Sequence, residues 1–537
     1  MPQSVKHLRT SWALSLILLF GLWTRLSGFS SHQLWFDDAW VAVPTKVPLG
    51  EAIHMVNTTP LFSIFMRQWI LWGSDATWWA QIPAFVTGLI AIVAVYRLLK
   101  YFGSTETLSL LAALVIAASP IVIDYSTRLK QYNLDIIFAC LILWLAEKWR
   151  RTPSLRGALT LALVSVLSLL TSASSIVIVA PVLGVAALLA WREKARRLQV
   201  GALLAIVGVG FVFEWIVWLS QLSHGLYVGW RNRGYLLDTR SFHKLAFSLQ
   251  TMGSQFFHWM LDLPTGHKPD PDHHITLLGL TISALVALFL VALVAGTLWR
   301  YLRRPLSTPE PLVIAALALT FSAALALVRR SPFGGGRTDE VLYPALLLLM
   351  AALFTQLQPR VRRVVPQATK VLIVVSVVAL LFVGLTNRAH YPSIDLKTPV
   401  AQMEAARQPG DIAVIDPWLG FTWAAADIPT FTVSRQKFMF DWSQGFHING
   451  NSQYVFSENY FFPSWVYPYL KDDTTRLWYV AETGSPAWPA TSPQDQIYVT
   501  RNLAALLKLG WYETGRSFSG DHVKIVELKF RSGQLPD

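Results

Sequence analysis

Two adjacent carboxylates set between aromatic rings are the groups of this 537-residue chain best suited to acid–base chemistry. The segment Leu34-Trp35-Phe36-Asp37-Asp38-Ala39-Trp40 follows directly on an apolar run. Desolvation by the rings and repulsion between the charges raise at least one carboxyl pKa, which suits a general base. An Asp capping a helix in a solvated loop uses the same residues, and the spacing does not choose between the two.

A second group lies in Asp124-Tyr125-Ser126-Thr127-Arg128-Leu129-Lys130-Gln131-Tyr132-Asn133-Leu134-Asp135. Cations at membrane depth are costly and are held there by anions. Arg128 and Lys130 therefore fit a lipid phosphate, although pairing with Asp124 or Asp135 would satisfy them too. The third group is Ser331-Pro332-Phe333-Gly334-Gly335-Gly336-Arg337-Thr338-Asp339-Glu340. Its glycines expose backbone N–H groups ahead of a helix start, an arrangement that binds anions. It lacks the Gly-Lys-Ser/Thr ending of a nucleotide P-loop, and a plain tight connection has the same composition. Fainter signals are Glu214, a lone acid in an apolar run, and Arg231 and Arg233, which suit phosphate or headgroups. His267, His273 and His274 with Asp270 and Asp272 have no metal-ligand spacing. Trp418, Trp423 and Trp442 suit sugar stacking or a domain core.

The elements that must position these groups are membrane spans. Only 14% of the residues are charged and 53% are hydrophobic, against roughly 25% charged in soluble domains. That balance excludes a soluble enzyme and any disordered or fibrous class. Eleven apolar segments read as transmembrane helices: about 11–29, 80–98, 108–123, 132–147, 157–171, 175–191, 200–219, 275–298, 311–328, 341–357 and 371–387. The first follows Lys6 and Arg9 without a cleavage site and reads as a retained anchor.

With this count, the basic clusters at Lys6/Arg9, Arg97/Lys100, Lys148–Arg156, Arg192–Arg197, Arg300–Arg304 and Arg360–Lys370 all fall on one side. The positive-inside rule makes that side cytoplasmic, so the net charge of +13 reflects topology rather than nucleic acid. The lone Cys140 rules out an intramolecular disulfide and paired-cysteine metal sites.

Three acidic or basic groups and the chain end then lie outside the cytoplasm. The expected fold is a polytopic α-helical membrane domain over residues 1–390, with outer loops at about 30–79 and 220–274. An extracytoplasmic α/β domain follows over 391–537. Within that domain 411–416, 476–480 and 523–528 read as strands, and 398–407 and 499–509 as helices. Residues 60–72 and 243–262 read as helices lying along the outer interface.

The acidic pair after the first span, the helix opening Pro60-Leu61, and Tyr125-Ser126 with Lys130-Gln131-Tyr132 together resemble the GT-C glycosyltransferase superfamily. The likeness covers about residues 11–390. The branch most similar is that of bacterial relatives of protein O-mannosyltransferases and the lipid A aminoarabinose transferase. The resemblance implies Asp37 as catalytic base with Asp38 beside it, and Tyr125, Tyr132 and Lys130 on the donor side. It also implies Arg337, with Thr338 and Asp339, at the same phosphate. Thr58-Thr59-Pro60-Leu61 stands where the family often has His-Pro-Pro-Leu, so Thr59 occupies a contact position without the usual His.

The reaction implied is transfer of a sugar from a polyprenyl-phosphate donor to an acceptor hydroxyl of a glycan, lipid or protein, on the outer face of a bacterial inner membrane. Nucleotide sugars are confined to the cytoplasm, whereas a lipid-linked donor presents its sugar outside. Asp38 is left with three roles, one being to ligate a divalent metal, Mg or Mn, as in some relatives; no other cofactor is implied. A transporter or flippase of lipid-linked glycans is the alternative, though neither internal repeats nor paired broken helices are present.

Overall fold

An apolar segment surrounded by lipid can satisfy its backbone N–H and C=O groups only as a helix, and all eleven apolar segments are helical. In chain order the computed structural model has α1 (Gln3–Leu26), α2 (Phe36–Ala42), α3 (Leu49–Ala52), α4 (Pro60–Trp72), α5 (Thr77–Tyr101), α6 (Glu106–Ala118), α7 (Pro120–Tyr125), α8 (Tyr132–Arg151) and α9 (Leu155–Thr171). It continues with α10 (Ile176–Arg192), α11 (Arg197–Val217), α12 (Phe242–Leu261), α13 (Leu277–Arg303), α14 (Glu310–Leu327), α15 (Tyr343–Val364), α16 (Ala368–Thr386) and α17 (Lys397–Ala406).

The structure describes residues 3–30, 33–46, 49–52, 59–74, 76–221, 230–261, 277–303, 310–334, 336–364, 367–391, 394–406, 408, 411–415, 419, 422, 438–441, 445–448, 476–482, 511–520 and 523–530. The histidine cluster at 267–274, Trp418, Trp423, Trp442 and the expected helix at 499–509 lie outside the described residues.

Two units make up the chain. The first comprises Met1–Gly28, Thr59–Phe62 and Gln81–His390. The second comprises Phe29–Thr58, Ser63–Ala80 and Tyr391–Asp537.

The first unit is a helical bundle. Six of its stretches or their neighbours are long and apolar enough to cross a bilayer: Thr77–Tyr101, Ala173–Arg192, Lys194–Val217, Gly279–Trp299, Arg337–Gln356 and Thr369–Thr386. Shorter apolar helices occur at Trp12–Leu26, Glu106–Ala118, Leu155–Thr171 and Pro311–Leu327. On α16, Val371, Val374, Val378 and Phe382 form an exposed stripe at helical spacing, and Leu285, Leu288 and Val291 do the same on α13. Outward apolar stripes on helices of this length face lipid. The chain is a membrane protein. Inward faces are lined with small residues that let helices approach closely; on α11, a methyl at Gly210 would press into Val166 of α9.

The second unit contains a four-stranded sheet in the order β1-β4-β6-β5, formed by β1 (Ile412–Ile415), β4 (Arg476–Glu482), β6 (Val523–Phe530) and β5 (Trp511–Gly520). A separate hairpin pairs β2 (Phe438–Asp441) with β3 (Gly445–Ile448). β1 runs parallel to β4, while β6 is antiparallel to β4 and β5. The three expected strands are present. β5, full of Glu, Thr, Arg and Ser, carries no hydrophobic alternation and was not anticipated. Residues just after the first helix belong to this unit as well: Leu396 N donates to the Gln33 side chain at 2.9 Å, and Trp35 N donates to the Tyr391 hydroxyl at 3.2 Å.

Candidate functional site

Pro120 sets up the local architecture. It has no N–H, so the helical ladder stops at Ala118 and the carbonyl of Ile116 loses its partner four residues on. Arg25, in the last turn of α1 and fully buried, supplies the missing donors. Its guanidinium donates to the Ile116 carbonyl at 3.2 Å and the Ala117 carbonyl at 3.0 Å. Its Nε donates to the Ser126 hydroxyl at 2.8 Å, just beyond the short helix α7. Asn133 donates to the same hydroxyl at 3.0 Å. Gly88 of α5 has no side chain because a methyl there would overlap the Ser126 hydroxyl. The Gln81 amide donates to the carbonyls of Thr127 at 2.8 Å and Gly28 at 2.9 Å. The loop carrying Arg128 and Lys130 is thus pinned at its start from three helices.

Beyond those pins the expected donor-side residues come together in part. The rings of Tyr125 and Tyr132 meet edge to face with centroids 4.8 Å apart. The Arg337 guanidinium lies 6.0 Å from the Tyr132 centroid. Burial pushes the Tyr125 phenol upward, with the Arg337 charge pulling the other way. Tyr235, in the connection before α12, is raised by burial and opposed by Arg233 and Arg337, and its carbonyl accepts from Phe333 N at 3.1 Å. Arg128 forms an ion pair with Asp124, four residues before it near the end of α7, at 3.3 Å. Lys130 is buried.

Arg337 owes its position to a tight turn. Gly334 (φ +77°) and Gly336 (φ +74°) adopt conformations that side chains disfavour. Gly334 also lies so close to the Met252 backbone of α12 that a methyl would meet it at 2.9 Å. The buried Asp339 carboxylate accepts from Gly336 N at 3.1 Å and closes the turn. Thr59, likewise buried, donates its hydroxyl to the Thr171 carbonyl. Both side chains therefore hold backbone, whatever else they touch. The Thr338 hydroxyl has no hydrogen-bond partner among the described residues.

Directly after this turn Glu340 is fully buried, and neither carboxylate oxygen finds a hydrogen-bond donor among the described residues. The charged groups that act on it are Asp135, Asp124, Arg25 and Asp339. Asp135 is equally buried; one oxygen accepts from Ser172 at 2.9 Å, and the other has no hydrogen-bond partner among the described residues. Residue-by-residue reading missed Arg25 and Glu340. The usable signal was an ionisable residue inside an apolar segment, which is rare without a reason.

The acidic pair belongs to the second unit. Asp37 and Asp38 occupy the first turn of α2, Asp37 half-buried and Asp38 fully buried. The capping position is filled by Trp35, with no side-chain cap, so neither Asp is the helix cap that was the alternative reading. Glu214 is buried in α11, and neither of its oxygens has a hydrogen-bond partner among the described residues. Among the described residues no three His, Cys, Asp or Glu side chains group as metal ligands.

No family model and no curated protein matches the sequence. Among solved structures, a crystal structure of ArnT from Cupriavidus metallidurans in the apo state aligns at 13% identity, covering 97% of this chain and 98% of that one, with a TM-score of 0.42. A crystal structure of the same protein bound to undecaprenyl phosphate aligns at 13% identity, covering 98% and 100%, with a TM-score of 0.36.

Proposed function

We propose that this membrane protein is a glycosyltransferase that moves a sugar from a polyprenyl-phosphate donor to an acceptor hydroxyl on the extracytoplasmic face. The observation that supports it most is the grouping of Arg337 with Tyr125 and Tyr132, next to a pinned loop that carries Arg128 and Lys130. Cations and phenols grouped within an apolar bundle match a phosphate whose tail lies in lipid.

In the reaction, the acceptor oxygen bonds to the anomeric carbon while its proton passes to Asp37. The bond from that carbon to the phosphate oxygen breaks, and its electron pair leaves with polyprenyl phosphate. Lys130 and Arg337 neutralise the charge that grows on the leaving phosphate in a partly desolvated site. A single displacement with one base inverts the sugar. Asp38 orients Asp37 or holds the acceptor; a divalent cation at Asp38 would show as activity lost to a chelator and regained with Mg or Mn.

The test is release of free polyprenyl phosphate from a polyprenyl-phosphate sugar by the purified chain in lipid nanodiscs. Asp37→Asn should lower turnover by at least about a thousandfold, as removal of an essential base does, with donor affinity unchanged. Near wild-type turnover in the variant removes Asp37 from the mechanism. Donor crossing a vesicle wall without release would instead mark a carrier.

A further inference from the structure

The Arg25 guanidinium is an unusual object: fully buried, with no hydrogen bond to a carboxylate among the described residues. Its five hydrogen bonds to described residues all go to neutral oxygens, namely the carbonyls of Gly21, Ile116 and Ala117 and the hydroxyls of Thr24 and Ser126. Burying a cation this way is expensive, and a Met or Leu would pack an apolar bundle at lower cost. The partners show what the charge accomplishes. Two of the carbonyls are those stranded by the Pro120 break, and the fifth bond reaches Ser126, the residue from which the Arg128–Lys130 loop departs. Only a planar fork with donors on three nitrogens can cap two carbonyls and hold a hydroxyl in a third direction at once.

We infer that Arg25 is the positioning residue of the phosphate site: through Ser126 it fixes the loop that delivers Arg128 and Lys130. This rests on the donor site proposed above and adds a residue 101 positions before Ser126 in sequence. Ser126 is the relay. Its hydroxyl accepts from Arg25 and Asn133 and donates to the Val122 carbonyl, so its hydrogen-bonding capacity is fully used inside the protein. On this account the Tyr125-Ser126 pair divides its work, with Tyr125 facing Arg337 and Ser126 anchoring the loop.

Two measurements on the full chain in nanodiscs test this, one independent of the reaction. Hydrogen exchange of residues 126–131 should speed up in Arg25→Met and in Ser126→Ala, while exchange in α9 and α11 stays at the wild-type rate. Affinity for polyprenyl phosphate alone should fall about tenfold in both, the scale of effect seen when a supporting contact behind a binding group is lost. Where the wild-type chain turns over, donor KM should rise with acceptor KM unchanged. Arg25→Lys, which keeps the charge but not the fork, should be nearly as defective as Arg25→Met. The double variant should bind no more weakly than Arg25→Met, because both changes interrupt one path.

If Arg25→Met unfolds the bundle, Ser126→Ala decides, since it leaves the helix carbonyls capped. Unchanged loop exchange and unchanged phosphate affinity in Ser126→Ala overturn the inference. Failure of wild-type turnover with loop exchange and phosphate binding both altered would sink the proposed reaction but not this role. Full recovery in Arg25→Lys would show that charge alone matters and would also overturn it.

Discussion

A carboxylate that already accepts a backbone N–H in a tight turn has a structural duty that can be separated from any contact with substrate. Asp339 is the case in point, since its oxygen holds Gly336 and so aims Arg337. Asn keeps an acceptor at the same place, whereas Ala removes it. Asp339→Asn should therefore bind donor normally, while Asp339→Ala should lose about 1 kcal/mol of stability, the usual worth of a capping acceptor, together with donor affinity. Equal damage in both, read by thermal unfolding and donor KM, would mean that the negative charge itself meets the substrate. Asp238 offers a pH-dependent counterpart in the connection before α12. Hydrogen bonds from Arg240 hold its carboxyl down to about 2. Because the folded value is the lower one, the pair stabilises fully above the ordinary carboxylate range and loses its contribution as pH falls from about 4 toward 2. Local exchange around residues 235–241 should be insensitive to the pair's titration from pH 5 to 8 and accelerate below about 4. A loop loosening near neutrality would point to another titrating group.

At the scale of elements, the turn before α15 concentrates the most demanding backbone. Gly334 combines a positive φ with direct approach to the Met252 backbone, so a side chain is opposed twice over. Gly334→Ala should cost about 1–3 kcal/mol and shift Arg337. An unfolding midpoint and donor KM both at wild-type values would show that the turn tolerates the change. Hydropathy made the apolar helices legible, because a lipid-facing helix must be apolar on its exposed side. The orientation of the interior was not legible in the same way. Arg25 and Ile116 are 91 residues apart, and their contact exists because Pro120 strands a carbonyl where α1 happens to cross. No local pattern announces a crossing. Asp124, by contrast, pairs with Arg128 only four residues on, across the end of α7, and that pairing was open to a sequence reading because the two are close in the chain.

For the molecule as a whole, the two units depend on different physics. The bundle is apolar on its lipid-facing helices and buries Arg25, Asp135, Glu214 and Glu340 within, and its apolar composition displays it. The sheet of the second unit hides a charged core that composition conceals. Arg476 is buried between two acids: it donates to Asp411 at 2.8 and 3.1 Å and to Glu527 at 3.1 Å, while the Trp478 indole also donates to Asp411 at 2.9 Å. Attraction within such a triad roughly repays the desolvation of its members, and the large cost comes when one member is removed and the others are left buried and uncompensated. Arg476→Leu should accordingly lose about 3–5 kcal/mol, seen by calorimetry of the full chain in detergent as a loss or lowering of the transition belonging to the second unit, with the bundle transition unmoved. Adding Asp411→Asn and Glu527→Gln should recover much of that loss even though every ion pair is now gone, because no uncompensated charge is left inside. A triple variant as unstable as Arg476→Leu alone would mean that the geometry of the fork around Arg476, rather than charge balance, holds the sheet edge in register.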